Sequence, residues 1–215
     1  MDLEDRGSHP DLSFDLMERS IELLGACFGG LGDSVLAGEP LALQITLAQR
    51  AEQRMLAQLG TNTHRGALFL GGLLLLGLHR TGPEEERGVR AGVSSVAREV
   101  AALASPRPLA THGASARRRF RVGGILREVE EGLPSVFEVA LPAFRVAVAR
   151  GDDHDAASFC MLARLMQTVE DTTALHRCGS AGLARLREDG ARLERLVPRG
   201  EHLAFLRERN ACYRR

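Results

Sequence analysis

Two polar stretches set an imidazole beside a guanidinium where apolar segments begin. They are Thr61-Asn62-Thr63-His64-Arg65-Gly66 and Asp171-Thr172-Thr173-Ala174-Leu175-His176-Arg177-Cys178-Gly179. Side-chain oxygens of Thr, Asn and Asp can cap the unpaired N–H groups of a helix's first turn. A helix start also carries partial positive charge, so each stretch suits an anion such as phosphate. Plain capping accounts for Asn62 and Thr63 taken alone. It requires neither an imidazole nor a guanidinium, whereas phosphate binding and proton transfer use both. His64 and His176 are therefore candidate proton carriers, and Arg65 and Arg177 candidate phosphate ligands, with Asn62, Thr63 and Gly66 around the first pair. The likeness of the two stretches leads us to expect two helix starts facing one polyanion.

Two further clusters, His9-Pro10-Asp11 and Thr111-His112-Gly113, interrupt the apolar pattern. His9 and His112, each alone in its segment, read first as surface histidines. Asp171 reads either as a cap or as a carboxylate for Mg²⁺, which in nucleotide sites takes one or two carboxylates together with phosphate oxygens. Asp152, Asp153 and Asp155 read as caps and charges at the start of the next helix. Arg117, Arg118 and Arg119 read as a solvated surface, with a phosphate-contacting loop as the alternative. Glu52 and Glu128 are either exposed charges or members of the same pocket. Cys160 and Cys178 read as small buried side chains rather than nucleophiles.

These groups need a scaffold, and the apolar spacing predicts helices throughout. From Ala67 to Leu78 every residue is apolar or Gly. Such a helix, spanning about residues 64–80, is greasy on all sides and belongs in the middle of a bundle. The first helix is predicted to begin near Asp11 or Ser13, to carry Phe14, Leu16, Met17, Ile21, Leu24 and Phe28 inward, and to stop at Gly29, Gly30 and Gly32. A second runs from about Glu39 to Leu59. The central helix ends near Gly82-Pro83, and the next opens on Glu84, Glu85 and Glu86 with Val89, Val93, Val96 and Val100 as its stripe. Residues 111–124 read as a basic, glycine-containing connection. Helices follow around Ile125–Glu131, Ser135–Arg150 with a break at Pro142, Asp155–Val169, Thr172–Glu188 and Glu201–Cys212. No stretch alternates in the manner of a strand, so the expectation is one all-α domain over residues 1–215.

Composition limits the partners. Arg supplies all 28 basic residues and balances 28 acidic ones. No global field draws in nucleic acid or a membrane surface, and a Lys Schiff base or P-loop Lys is ruled out. The scattered Cys27, Cys160, Cys178 and Cys212 indicate neither a disulfide framework nor a zinc site. The acidic opening Met1-Asp2-Leu3-Glu4-Asp5 lacks the marks of a signal peptide, and the expected location is the cytoplasm.

Taken together, the motifs resemble one family. Asn62-Thr63-His64-Arg65-Gly66-Ala67-Leu68-Phe69 is similar to the N-T-H-[KR]-G-A-[IL]-F signature of triphosphoribosyl-dephospho-CoA synthases, which serve citrate lyase and malonate decarboxylase. Gly7-Ser8-His9-Pro10-Asp11-Leu12 resembles their G-[AS]-H-x-D-M, and Thr111-His112-Gly113 their T-H-G. Gly132-Leu133-Pro134-Ser135-Val136 resembles G-[FL]-P-x-V, Leu141-Pro142 the L-P, and Asp171 through Gly179 the D-T-N-x-x-x-R-G-G region. The resemblance implies an all-helical enzyme that joins the triphosphoribosyl group of ATP to a ribose hydroxyl of 3′-dephospho-CoA and releases adenine, with Mg²⁺ accompanying the ATP. On that resemblance His64 or His9 is the expected base, with His176 and Asp11 beside them. Arg65 and Arg177 with the two helix starts grip phosphates, Asn62, Thr63, Gly66, His112, Glu52 and Glu128 line the substrate, and Asp11 and Asp171 hold the metal.

The chain departs from the pattern at Thr173, where the family has Asn, and at Cys178, where it has the first Gly of R-G-G. Leu12 stands for Met, and Leu126-Arg127 for Arg-Gly ahead of Glu128. No P-G-L-V segment precedes Gly7, from which one substrate wall is expected to be missing. These departures leave two alternatives beside the parent activity. One is a relative that acts on a nucleotide's N-glycosidic bond with another acceptor, and the other is a catalytically silent nucleotide-binding protein.

Overall fold

A computed structural model describes residues 12–61, 64–82, 85–103 and 111–213, with the side chains of Arg65 and Tyr213 outside that description. Every regular element among the described residues is helical, as the apolar spacing requires. The helices gather into two compact units, meeting in sequence near residue 104.

The first unit holds α1 (Phe14–Leu36), α2 (Leu41–Leu59), α3 (Arg65–Thr81) and α4 (Glu86–Leu103). Ser13 caps α1, its hydroxyl accepting the N–H of Leu16. The expected stop at Gly29, Gly30 and Gly32 does not occur. Helical glycine costs roughly 0.5–1 kcal/mol per residue, and the burial of Leu24, Leu31 and Val35 along one face of α1 outweighs it. Tertiary packing rather than propensity keeps such a helix whole, and α1 ends where Gly38 turns left-handed.

α3 packs against α1, α2 and α4, which is the central position expected of its apolar sequence. Leu24, Met55 and Leu68 join α1, α2 and α3 in one apolar cluster. Two contacts draw the backbones close. The Phe28 ring lies where a side chain at Gly71 would stand, and a Cβ at Gly92 would come within 2.6 Å of the Gly77 carbonyl oxygen. α3 and α4 therefore cross backbone against backbone, with the predicted Val89, Val93 and Val96 buried around the crossing.

The second unit contains α5 (His112–Phe120), α6 (Gly124–Glu130), a wide-turned π segment (Ser135–Ala140), α7 (Leu141–Arg150), α8 (His154–Thr168), α9 (Thr172–Leu196), a 3₁₀ turn (Val197–Arg199) and α10 (His202–Tyr213). Its larger core joins Ala147, Ala157, Cys160, Ala163, Leu193, Val197 and Phe205. The break expected at Pro142 takes the form of the π segment: Leu141 N–H reaches back to the Val136 carbonyl, five residues away. The widened turn makes room for a ring that lacks an N–H and would crowd the carbonyl four residues before it.

Residues 112–120 overturn the expectation of a basic loop. The Thr111 hydroxyl accepts the N–H of Ala114 at 3.1 Å and opens a helix. Ala116 and Phe120 then pack on Leu175 and Leu183 of α9. An apolar stripe hidden among arginines is enough once a second helix covers it. The last long helix also runs beyond the expected Glu188 to Leu196, because Leu193 is fully buried. No single helix among the described residues is long and apolar enough to cross a membrane.

Candidate functional site

In the second unit, helix starts meet. α5 opens at Thr111 and α9 at Asp171, whose Oδ1 accepts the N–H groups of Thr173 at 2.8 Å and Ala174 at 2.9 Å. The His112 and His176 rings stack with centroids 4.1 Å apart and planes 30° apart. The structure thus pairs His112, expected to stand alone, with His176. Of the two roles expected of Asp171 the structure shows the cap, with both bonds on Oδ1.

The residue before that cap serves another helix. Glu170 Oε2 accepts the N–H of Gly123 at 2.9 Å and of Gly124 at 3.4 Å, at the entry to α6. Gly124 has φ of 55°, and a Cβ there would stand 2.8 Å from Thr172 Cγ2 and 3.2 Å from Arg117 Cδ. Only glycine meets both demands, the left-handed backbone and the close approach. A Cβ at Gly113 would lie 3.6 Å from Thr172 Oγ1 and 3.8 Å from an Arg117 guanidinium nitrogen. Arg117 therefore leaves the solvated arginine surface expected for it and lies half-buried at this junction, whereas Arg118 and Arg119 are exposed.

Beyond His176 the helix is interrupted. Gly179 adopts φ 65° and ψ −165° inside α9, a region open essentially to glycine alone. The backbone break immediately follows His176, Arg177 and Cys178, so their placement depends on it. Arg177 is exposed, and so is Cys178, contrary to the expectation of a buried thiol. Cys160 is buried as expected.

In the first unit His64 is the N-cap of α3, but its side chain makes no cap bond. The expected caps Asn62 and Thr63 lie outside the described residues, as do His9 and Asp11 and the side chain of Arg65. The His64 ring turns instead to α1, where Nδ1 lies 2.5 Å from the hydroxyl oxygen of Ser20. Gly66 is exposed on the first turn of α3 and Glu52 half-buried on α2. Glu128 has a structural partner, because its Oε1 accepts the N–H of Ser135 at 2.6 Å. That bond secures the turn in which Leu133 is fully buried with φ of 59°. The resemblance at Gly132-Leu133-Pro134-Ser135-Val136 thus corresponds to a strained, stapled turn.

Ser20, Gly124 and Glu170 escaped the sequence reading. Adjacent acids at Glu170-Asp171 and the double glycine Gly123-Gly124 were visible signals for one capped start beside another. Ser20 had one weak signal, a polar residue amid the apolar face of α1.

The described residues contain no group of three or more His, Cys, Asp or Glu side chains disposed to hold a metal ion. Comparison with known proteins decides what the junction belongs to. Residues 1–204 match the family described as ATP:dephospho-CoA triphosphoribosyl transferase (CitG). The chain belongs to that family. A relative from Pseudomonas fluorescens, named "Probable 2-(5''-triphosphoribosyl)-3'-dephosphocoenzyme-A synthase", is 34% identical over 89% of this chain and 67% of its own length. One of the same name from Azotobacter vinelandii is 35% identical over 89% of this chain and 68% of its own. The Klebsiella pneumoniae protein, named without the qualifier, is 32% identical over 87% of this chain and 69% of its own. No solved structure matches the chain. Within this transferase family, the helix-start junction of the second unit and the His64 seat of the first contain the residues that matched its motifs.

Proposed function

We propose that the protein moves the triphosphoribosyl group of ATP to a ribose hydroxyl of 3′-dephospho-CoA and releases adenine, acting in the cytoplasm where both substrates are found. The family match over residues 1–204 carries this reading. In the reaction the C1′–N bond to adenine breaks and a C1′–O bond to the acceptor forms, through an oxocarbenium-like state. The acceptor hydroxyl loses its proton to a base, and adenine leaves with a proton or hydrogen bond from a donor.

The paired starts of α5 and α9 suit the triphosphate. Each presents N–H groups without helical partners and the positive end of a dipole. The stacked His112 and His176, with Arg177 one residue on, add donors to that face. Fixing the chain of phosphates aligns C1′ with its acceptor, which is where much of a transfer barrier is removed. Among the described residues of the first unit, His64 carries an imidazole of the kind that can take a hydroxyl proton.

A fully caged metal does not fit the described residues, but Mg²⁺ carried on ATP fits the chemistry of Asp171. Such an ion keeps phosphate and water ligands and needs one or two carboxylates. With the cap bonds on Oδ1, Asp171 would still have carboxylate oxygen to offer such an ion. When bound, Mg²⁺ neutralises triphosphate charge.

Incubation with ATP, Mg²⁺ and dephospho-CoA, followed by mass analysis, tests the reading. Adenine and the triphosphoribosyl adduct are the expected products. Adenine formed without the adduct would assign another acceptor, and intact ATP after long incubation would overturn the transferase activity.

A further inference from the structure

We propose that Arg117 is a ligand for a substrate's phosphate groups at the junction of α5 and α9, its guanidinium donating to their oxygens. The proposal rests on the reading of that junction as a phosphate seat.

Arg117 differs from the arginines beside it. Arg118 and Arg119 are exposed, and the Arg119 guanidinium lies over the Phe120 ring, 5.1 Å from its centre. Arg117 stands one turn beyond Gly113 on the same face of α5 and is half-buried. Its side chain leans back toward the helix start, the usual direction in a helix. The aliphatic stem fills the place that glycine leaves at the entry to α6, where a Cβ at Gly124 would stand 3.2 Å from Arg117 Cδ and 3.3 Å from Cγ. The guanidinium reaches the first turn of α5. A Cβ at Gly113 would lie 3.8 Å from its Nη1 and 3.6 Å from the hydroxyl oxygen of Thr172, the first residue of α9. The side chain is thus held along its length, with its charge delivered to two helix starts.

Electrostatics disfavours that placement in the protein alone. A helix start is a positive end, which stabilises a carboxylate and not a cation. A guanidinium drawn partly out of water also needs acceptors, yet among the described residues no hydrogen bond or ion pair engages Arg117. The two acids of the junction serve backbone donors instead. Glu170 Oε2 accepts from Gly123 and Gly124, and Asp171 Oδ1 accepts from Thr173 and Ala174. An anion at the two starts reverses the balance, because the guanidinium and the first-turn N–H groups then donate to the same oxygens. The planar fork of arginine suits phosphate, which it meets with two parallel bonds.

Both substrates carry linked phosphates, a triphosphate in ATP and a diphosphate in dephospho-CoA. Calorimetric titration with each, in the presence of Mg²⁺, tests the assignment in wild type, Arg117→Gln and Arg118→Gln, with circular dichroism to verify folding. Arg117→Gln is expected to weaken binding of at least one substrate by about tenfold or more, and Arg118→Gln to bind both as wild type does. A loss confined to ATP assigns Arg117 to the triphosphate, and a loss confined to dephospho-CoA assigns it to the acceptor's diphosphate. A smaller loss for both substrates would overturn the proposal. So would an equal loss in Arg118→Gln, which would make net charge the cause, or a wild type that binds neither substrate. Should Arg117→Gln fail to fold, Arg117→Lys replaces it, keeping stem and charge without the fork; about a threefold loss is then expected, and wild-type affinity for both substrates would overturn the proposal. Failure of the transferase reading shows separately, as a wild type that binds but releases no adenine, and the titrations still decide the role of Arg117.

Discussion

Replacing Gly92 with alanine should destabilise the protein even though alanine is the better helix former. A Cβ at this position would stand 2.6 Å from the Gly77 carbonyl oxygen and 3.1 Å from both Gly77 C and Cα. All three are backbone atoms of α3, so no rotamer change relieves the contact. Restoring an ordinary carbon–oxygen approach of about 3.3 Å requires the helices to separate by about 0.7 Å. A gap of that size forfeits roughly a quarter to a half of the dispersion well for each neighbouring contact. Overpacking of this kind costs about 1–3 kcal/mol, against a gain of about 1 kcal/mol from helix propensity. The net expectation is a loss of up to about 2 kcal/mol. Gly29, inside α1 with nothing within 4 Å of its would-be Cβ, supplies the control: Gly29→Ala should gain about 0.5–1 kcal/mol. Urea unfolding followed by far-ultraviolet circular dichroism measures both, with midpoints compared at constant slope. A Gly92→Ala protein as stable as Gly29→Ala would refute the backbone-to-backbone crossing. Because α3 begins at His64, the same variant should also perturb the Ser20 contact.

Glu170→Gln should cost about 1 kcal/mol, since an amide oxygen accepts from Gly123 and Gly124 N–H more weakly than the carboxylate does; thermal unfolding measures it, and no change would deny the bond a role. Gly179→Ala should cost of order 1–3 kcal/mol and reduce turnover, because alanine resists the backbone adopted there; an unaltered protein would mean that α9 is not broken at that residue. Alkylation with iodoacetamide near neutral pH, read by mass spectrometry, should label exposed Cys178 and Cys212 first. Cys27 should lag because burial pushes its thiol pKa up, and labelling of Cys27 ahead of Cys178 would contradict this. The hydrogen bond from Arg80 holds the Glu99 carboxyl below its ordinary value. A carboxylate so depressed contributes stability above its unfolded pKa and loses it as pH falls through the folded one. Wild type should therefore exceed Glu99→Gln at neutral pH, with the difference vanishing in acid; a constant difference would exclude the ion pair as its cause.

Much of the fold was legible in the residues themselves. The unbroken apolar run after Ala67 required a helix enclosed by others, and Ser13, Asp153 and Asp171 could be read as caps because their oxygens act on N–H groups two or three residues away. Such effects are local and need no partner. The resemblance was legible for the same reason, since short motifs survive in order even where the core between them changes. Misreadings arose where a distant element decided the outcome. The glycines of α1 remain helical because Leu24, Leu31 and Val35 are covered by other helices, and α5 exists because Leu175 and Leu183 receive Ala116 and Phe120.

The same division runs through the site. Sequence by itself placed His64 and Asp171 at helix starts, because capping and helix dipoles act within one turn. Only the tertiary structure decided that His112 stacks on His176, that Glu170 serves α6 while its neighbour Asp171 serves α9, and that Ser20 meets a ring 44 residues away. Those choices depend on how close helices approach. That distance is set by pairs such as Gly77 with Gly92 and Gly124 with Thr172, whose members carry no sign in the sequence of the partner they will meet.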